Sequence, residues 1–116
     1  MKRAKDKLVA ALMASPGLAA FVDDRIYYQH PPEKPTYPLL TYSQVGGTTD
    51  YADHRAYFDR PRFEIKIWGE HAEEIAEEVR AAMDGIGARL ISDVDLWDHE
   101  SLQPVKALDF RMLLKR

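Results

Sequence analysis

Residues 62–69 carry the clearest alternation in the chain. Phe63, Ile65 and Ile67 alternate with Arg62, Glu64, Lys66 and Trp68 before a glycine at 69. A period of two sends the apolar set to one side of a strand and the charged set to the other. Directly afterwards the period changes. Ala72, Ile75, Ala76, Val79 and Met83 recur at helical spacing, which predicts an amphipathic helix over 70–84 closed by Gly85 as a left-handed cap. Glu70, Glu73 and Glu74 stand in its first turns, where the helix dipole favours negative charge.

The same reading divides the rest of the chain. Leu8, Ala11 and Leu12, with Ala4 a turn earlier, mark one face of a helix over 3–14. Pro16-Gly17 reads as its stop, with a short helical turn over 18–22. Arg25–Gln29 is a short β-rich stretch. It runs into a connector with four prolines in residues 31–38, which no central strand would accommodate. Leu39–Val45 is the next strand. The polar stretch from Gly46 to Asp59 lacks helical periodicity and reads either as a long functional loop or as an extended β-arm. Leu90, Ser92, Val94 and Leu96 alternate with Ile91, Asp93, Asp95 and Trp97. Lys106, Leu108, Phe110, Met112 and Leu114 alternate with their neighbours, and Gln103-Pro104 lies in the connection. The expected layout is one α+β domain over residues 1–116, ordered α-β-β-β-α-β-β. An antiparallel or mixed sheet of about five strands would be packed by two helices.

Composition agrees with a single folded domain. The chain has 116 residues, 46% hydrophobic and 30% charged, which is ordinary for a globular protein. No apolar run approaches the roughly 20 residues needed to span a bilayer. Lys2, Arg3, Lys5 and Lys7 before Leu8–Ala14 imitate a secretory leader only at its short limit. A soluble intracellular protein is the expectation. The absence of cysteine excludes a disulfide framework, a thiolate nucleophile and a cysteine zinc cage. A net charge of -3 gives no global field towards nucleic acid.

Candidate chemistry is sparse. His30, His54, His71 and His99 show no paired metal spacing, and His71-Ala72-Glu73-Glu74 lacks the second histidine of a zincin helix. Asp93, Asp95 and Asp98 imitate a calcium loop without its glycine, so they read as a solvated strand face. Gly85-Ile86-Gly87 follows a helix and is not a dinucleotide loop. No serine has a recognisable base partner. Catalytic, cofactor and metal residues are therefore expected to be absent. The glutamates of the second helix form either a solvated face or an acidic docking surface for a neighbouring subunit. Arg60, Arg62 and Lys66, with Trp68 beyond them, form either an outer sheet face balanced by Glu64 or a stripe facing a subunit or DNA.

The order of these segments resembles the tail-completion and tail-terminator proteins of long-tailed phages. The resemblance rests on a helix ending in a small-residue turn, Asp24-Arg25-Ile26-Tyr27, the proline connector and Tyr37-Pro38-Leu39-Leu40-Thr41-Tyr42. It continues through Phe63-Glu64-Ile65-Lys66-Ile67-Trp68-Gly69 into a helix. The resemblance implies a structural virion protein, not an enzyme, that stops tail-tube growth and joins tail to head connector. It implies a ring, a hexamer in such families, with tail-tube and connector proteins as partners and DNA only as cargo through the lumen. Neither membrane nor small-molecule substrate is implied, and the protein would occupy the host cytoplasm before entering the virion. Tyr51, His54, Arg55, Tyr57, Arg60, Arg62, Lys66 and Trp68 are the candidate subunit-interface or lumen residues. The rival readings are another head–tail adaptor or neck protein, a small enzyme using His54 with Asp50, Asp53 or Asp59, and a nucleic-acid-binding regulator.

Overall fold

The computed structural model describes residues 2–115, with Tyr57 described by its backbone alone. Its elements are α1 (Lys2–Met13), α2 (Pro16–Val22), β1 (Ile26–Tyr28), β2 (Leu39–Ala52), β3 (Arg55–Trp68), α3 (Ala72–Asp84), β4 (Arg89–Asp98), β5 (Gln103–Arg111) and β6 (Leu114–Lys115). The sheet runs β1-β2-β3-β5-β4, with β6 paired to β3 beyond the end of β5. β1 is parallel to β2, and the other pairs are antiparallel, so the α+β mixed sheet is as expected.

One sheet face carries the helices. Leu40 comes into register with Ile67 across β2 and β3, and Ile65 with Leu108 and Phe63 with Phe110 across β3 and β5. These six residues are at most 1% exposed. Ala4, Leu8 and Leu12 of α1, Leu18 and Val22 of α2, and Ile75, Ala76, Val79 and Met83 of α3 close the core over them. α3 lies over β3, β5 and β4, with α1 and α2 beside it.

Three helices form where two were expected. Pro16-Gly17 opens α2 instead of only ending α1: proline fits the first helical position, where an N–H has no partner to lose. Ser15 caps it, its Oγ accepting from Leu18 N at 3.1 Å. The exit from α3 also differs. Gly85 is right-handed at φ -60°, and Gly87 supplies the left-handed turn at φ 74°. Among the described residues the sheet has six strands against the expected five or so, because Leu114–Lys115 pairs separately with Phe58 and Asp59. Pro104 belongs to β5, opposite Trp97, rather than to the connection. A bulge at Ile91 breaks the alternation of β4. Leu90 opposes Phe110 on the helix side, while Val94 and Leu96 oppose Ala107 and Val105 on the open side.

The bulge also brings Asp93 and Asp95 to the helix-side edge, so they are not a purely solvated row. Lys106 lies in the apolar row of β5 with a side chain only 4% exposed. Its Nζ meets Asp93 Oδ1 at 2.7 Å, Asp95 Oδ1 at 2.9 Å and Glu73 Oε1 at 2.9 Å. Hydrogen bonds that Lys106 donates to Asp93 and then Asp95 outweigh the opposing effect of burial and hold the ammonium well above the ordinary lysine range. Asp95 and Glu73 are themselves largely exposed, so the site is a covered edge rather than a deep interior.

Two measurements test this packing. Phe63→Ala should cost about 3–5 kcal/mol in urea unfolding, because Phe63 sits at the centre of the core; a loss under about 1 kcal/mol would contradict that placement. Lys106→Met should cost about 1–3 kcal/mol by leaving three carboxylates together. The raised folded value means that the contribution of Lys106 is complete below the unfolded lysine value. It should therefore be constant from neutral pH to about 10 and fall at higher pH, a fall absent from Lys106→Met.

Candidate assembly surfaces

The stretch from Gly46 to Asp59 is an arm, the second of its two expected forms. β1 covers β2 only from Leu40 to Tyr42, and β5 leaves β3 at Arg62. Beyond those points β2 and β3 continue as a hairpin, flanked at its base only by β6 against Phe58 and Asp59, and the molecule has a 50 Å long axis. The turn is Asp53-His54, both left-handed at φ 51° and 62°. Val45 and Tyr57 are extra residues in the ladder, and such bulges increase local twist. Gly47 stands opposite Pro61, where a Cβ would come within 3.0 Å of the Pro61 Cα. Side chains brace the arm: Thr49 Oγ1 donates to Asp59 Oδ1 at 2.9 Å, and Arg60 Nε donates to Asp50 Oδ2 at 2.7 Å. Tyr51 (70% exposed), His54 and Arg55 occupy the tip. The side chain of Tyr57 lies outside the described residues.

The sheet face opposite the helices holds the other candidates. Arg62 Nη2 donates to Asp109 Oδ2 at 2.5 Å, and Lys66 Nζ lies 3.7 Å from Glu64 Oε1 and 6.0 Å from the Trp68 ring centre. Trp68 Nε1 donates to Thr41 Oγ1 at 3.0 Å. Arg60, Arg62 and Lys66 therefore each face a carboxylate, and the row is a balanced polar surface rather than an unscreened cationic stripe. The seven sequence candidates with described side chains thus divide between the arm and this open face. Asp50 and Asp59 are engaged in bracing the arm, and His54 sits on an exposed turn.

A surface that the sequence reading did not identify lies at the opposite end from the arm. The proline connector folds back towards the end of β3, where Gly69 approaches Pro38 and Arg25 Nε donates to the Pro38 carbonyl at 2.9 Å. Between connector, Trp68 and the β4–β5 turn is a groove of about 570 Å³. Asp98 caps that turn, its Oδ2 accepting from Ser101 Oγ (2.5 Å) and N (2.8 Å). These bonds, the side-chain one foremost, hold its carboxyl below the usual range. The dense prolines and Trp68 were the available signal, but their partners come from a turn some thirty residues later than Trp68.

Charge is segregated along the strands. Glu70, Glu73 and Glu74 at the start of α3, Asp95, Asp98 and Glu100 around the β4–β5 turn, and Asp23 and Asp24 before β1 make the groove end acidic. At the arm-base end Arg62, Arg111 and Arg89 align across three strands. α1 adds four cations against Asp6 alone, and its Arg3 donates to the Lys115 carbonyl near the arm base.

Among the described residues, no group of three side chains is placed to hold a metal ion, and no helix is long and apolar enough to cross a membrane. No curated protein matches the chain. A solved structure described as the virion of a native gene transfer agent particle shares the fold. Its TM-score is 0.67 at 16% identity, covering 94% of this chain and 92% of that one. The family model for Tail completion protein gp17 matches residues 6–113. That family is one of phage structural tail proteins, not enzymes. With a match running from α1 through β5, the chain belongs to the Tail completion protein gp17 family and is a structural part of a phage tail.

Proposed function

We propose that the chain ends the tail tube as a closed ring, a hexamer, and joins it to the head connector, with DNA passing through the lumen only as cargo. On this reading it is made in the host cytoplasm and becomes part of the virion neck when the tail is finished. The observation that carries the reading is the arm. Beyond the β6 pairing at Phe58 and Asp59 the projection is two-stranded and holds no core residue, so this outer part contributes little to the fold, and its tip residues Tyr51, His54 and Arg55 suit a protein interface. The ring accounts for a second feature. β4 is a ten-residue edge strand with Ile91, Val94, Leu96 and Trp97 each more than 40% exposed. Such edges invite pairing, and a neighbouring subunit covers them in a closed assembly. The carboxylates paired with Arg60, Arg62 and Lys66 suit a surface past which DNA must slide, because unpaired cations would bind phosphate.

Replacing residues 50–58 with an Asn-Gly turn keeps the Thr49–Asp59 pair and removes the tip. The shortened protein should melt within a few degrees of the full chain and remain monomeric. In phage-producing cells it should leave tails unjoined to heads, as seen by negative-stain imaging. Normal, head-joined particles made with the shortened protein would overturn the arm's role.

A further inference from the structure

We infer that the groove beside the proline connector is a socket for the arm tip of a second copy of this chain. The inference rests on the ring reading and adds to it which surfaces meet.

The groove asks for a cation. Glu33, Asp98 and Glu100 line it, and no lysine or arginine does. Asp98 is fixed in its charged form by the Ser101 hydrogen bonds described above. Pro31, Pro35, Tyr37 and Trp68 add flat apolar surfaces, against which an aromatic ring or a guanidinium plane packs well. A volume of about 570 Å³ accommodates two large side chains.

The arm tip offers that combination. Arg55 is exposed and forms no ion pair among the described residues, whereas Arg60 and Arg62 are both paired. Tyr51 lies close by in the ladder, where it opposes Ala56, and is 70% exposed. The chain cannot satisfy its own groove. Tip and groove lie at the two ends of β3, about 40 Å apart at the rise of an extended strand. A tip on one end and a socket on the other form a heterologous contact, the type that generates a ring when the rotation closes. It also separates two different surfaces, so each subunit gives one contact and receives one.

The chain has no cysteine, so a designed pair reports cleanly. Ala52→Cys beside the tip and Glu100→Cys at the groove rim leave Arg55, Glu33 and Asp98 in place. Tails carrying the double variant are treated with a short bismaleimide and run on a denaturing gel, while the same tails are imaged. The expected result is conversion of monomer into a ladder ending at the closed ring, absent from either single variant. Rings on the tails with the double variant still monomeric on the gel would overturn the socket and leave the ring standing. Tails that carry no ring would overturn both. A second arm uses charge. Arg55→Glu should lose ring assembly, and Arg55→Glu with Glu100→Arg should recover it. Loss without recovery, or no loss, counts against the socket. Cross-linking of Glu100→Cys to another tail protein instead of a second copy would also overturn it.

Discussion

Strand β3 is held on both sides through its inner half, by β2 and by β5, and its apolar row Phe63, Ile65 and Ile67 is fully buried. Because side chains alternate, a shift of one residue against either neighbour would turn that row outwards and drive Arg62, Glu64 and Lys66 beneath α3. Burying those charges away from water would cost several kcal/mol each, so the register is fixed by what the helices can cover. Once it is fixed, Leu40, Leu108 and Phe110 fall into the same face and give the helices one continuous surface. The outer half of β3 inherits its direction from the inner half. The arm is therefore aimed by the core, although it contains almost none of it.

The same strand explains what could be read from the sequence. Elements with one buried face announce themselves by period, and β3, α1 and α3 were legible for that reason. The arm has no buried face to impose an apolar alternation, so a loop and a hairpin looked alike. Its hairpin form rests on Asp53-His54 adopting left-handed geometry and on bulges at Val45 and Tyr57, none of which leaves a hydrophobic trace. Pro16-Gly17 misled for a different reason: a proline that ends one helix also starts another when Ser15 stands ready to cap it. Lys106 occupies a core-facing position in an otherwise apolar row, and only the bulge at Ile91 brings Asp93 and Asp95 to meet it. The candidate residues on the strand could be placed in order but not paired, since Asp109 reaches Arg62 from 47 positions away.

The helix-free face and the groove end share a feature that suits an assembly part better than a catalyst. Their polar groups are mostly tied to one another: Arg62 to Asp109, Lys66 to Glu64, Trp68 to Thr41, Asp98 to Ser101. Such pairs hold side chains in place without activating any of them. Surface ion pairs of this kind contribute about 0–1 kcal/mol each, so the fold draws its stability from the helix-covered core. Among the exposed groups without such ties are Arg55 at the arm tip and Glu33 and Glu100 on the groove rim.

The separation of charge along the strands has a consequence for polarity. At physiological salt an electrostatic field decays over about 8 Å, a small fraction of the 50 Å length, so the acidic and basic ends act as independent charges rather than as one averaged molecule. A chain built this way approaches a surface of either sign by one end and is turned away by the other. On the proposed ring reading, the choice between upright and inverted insertion would then be made during approach, before any shape is matched. A uniformly charged protein with the same outline would have to make that choice by trial docking and release.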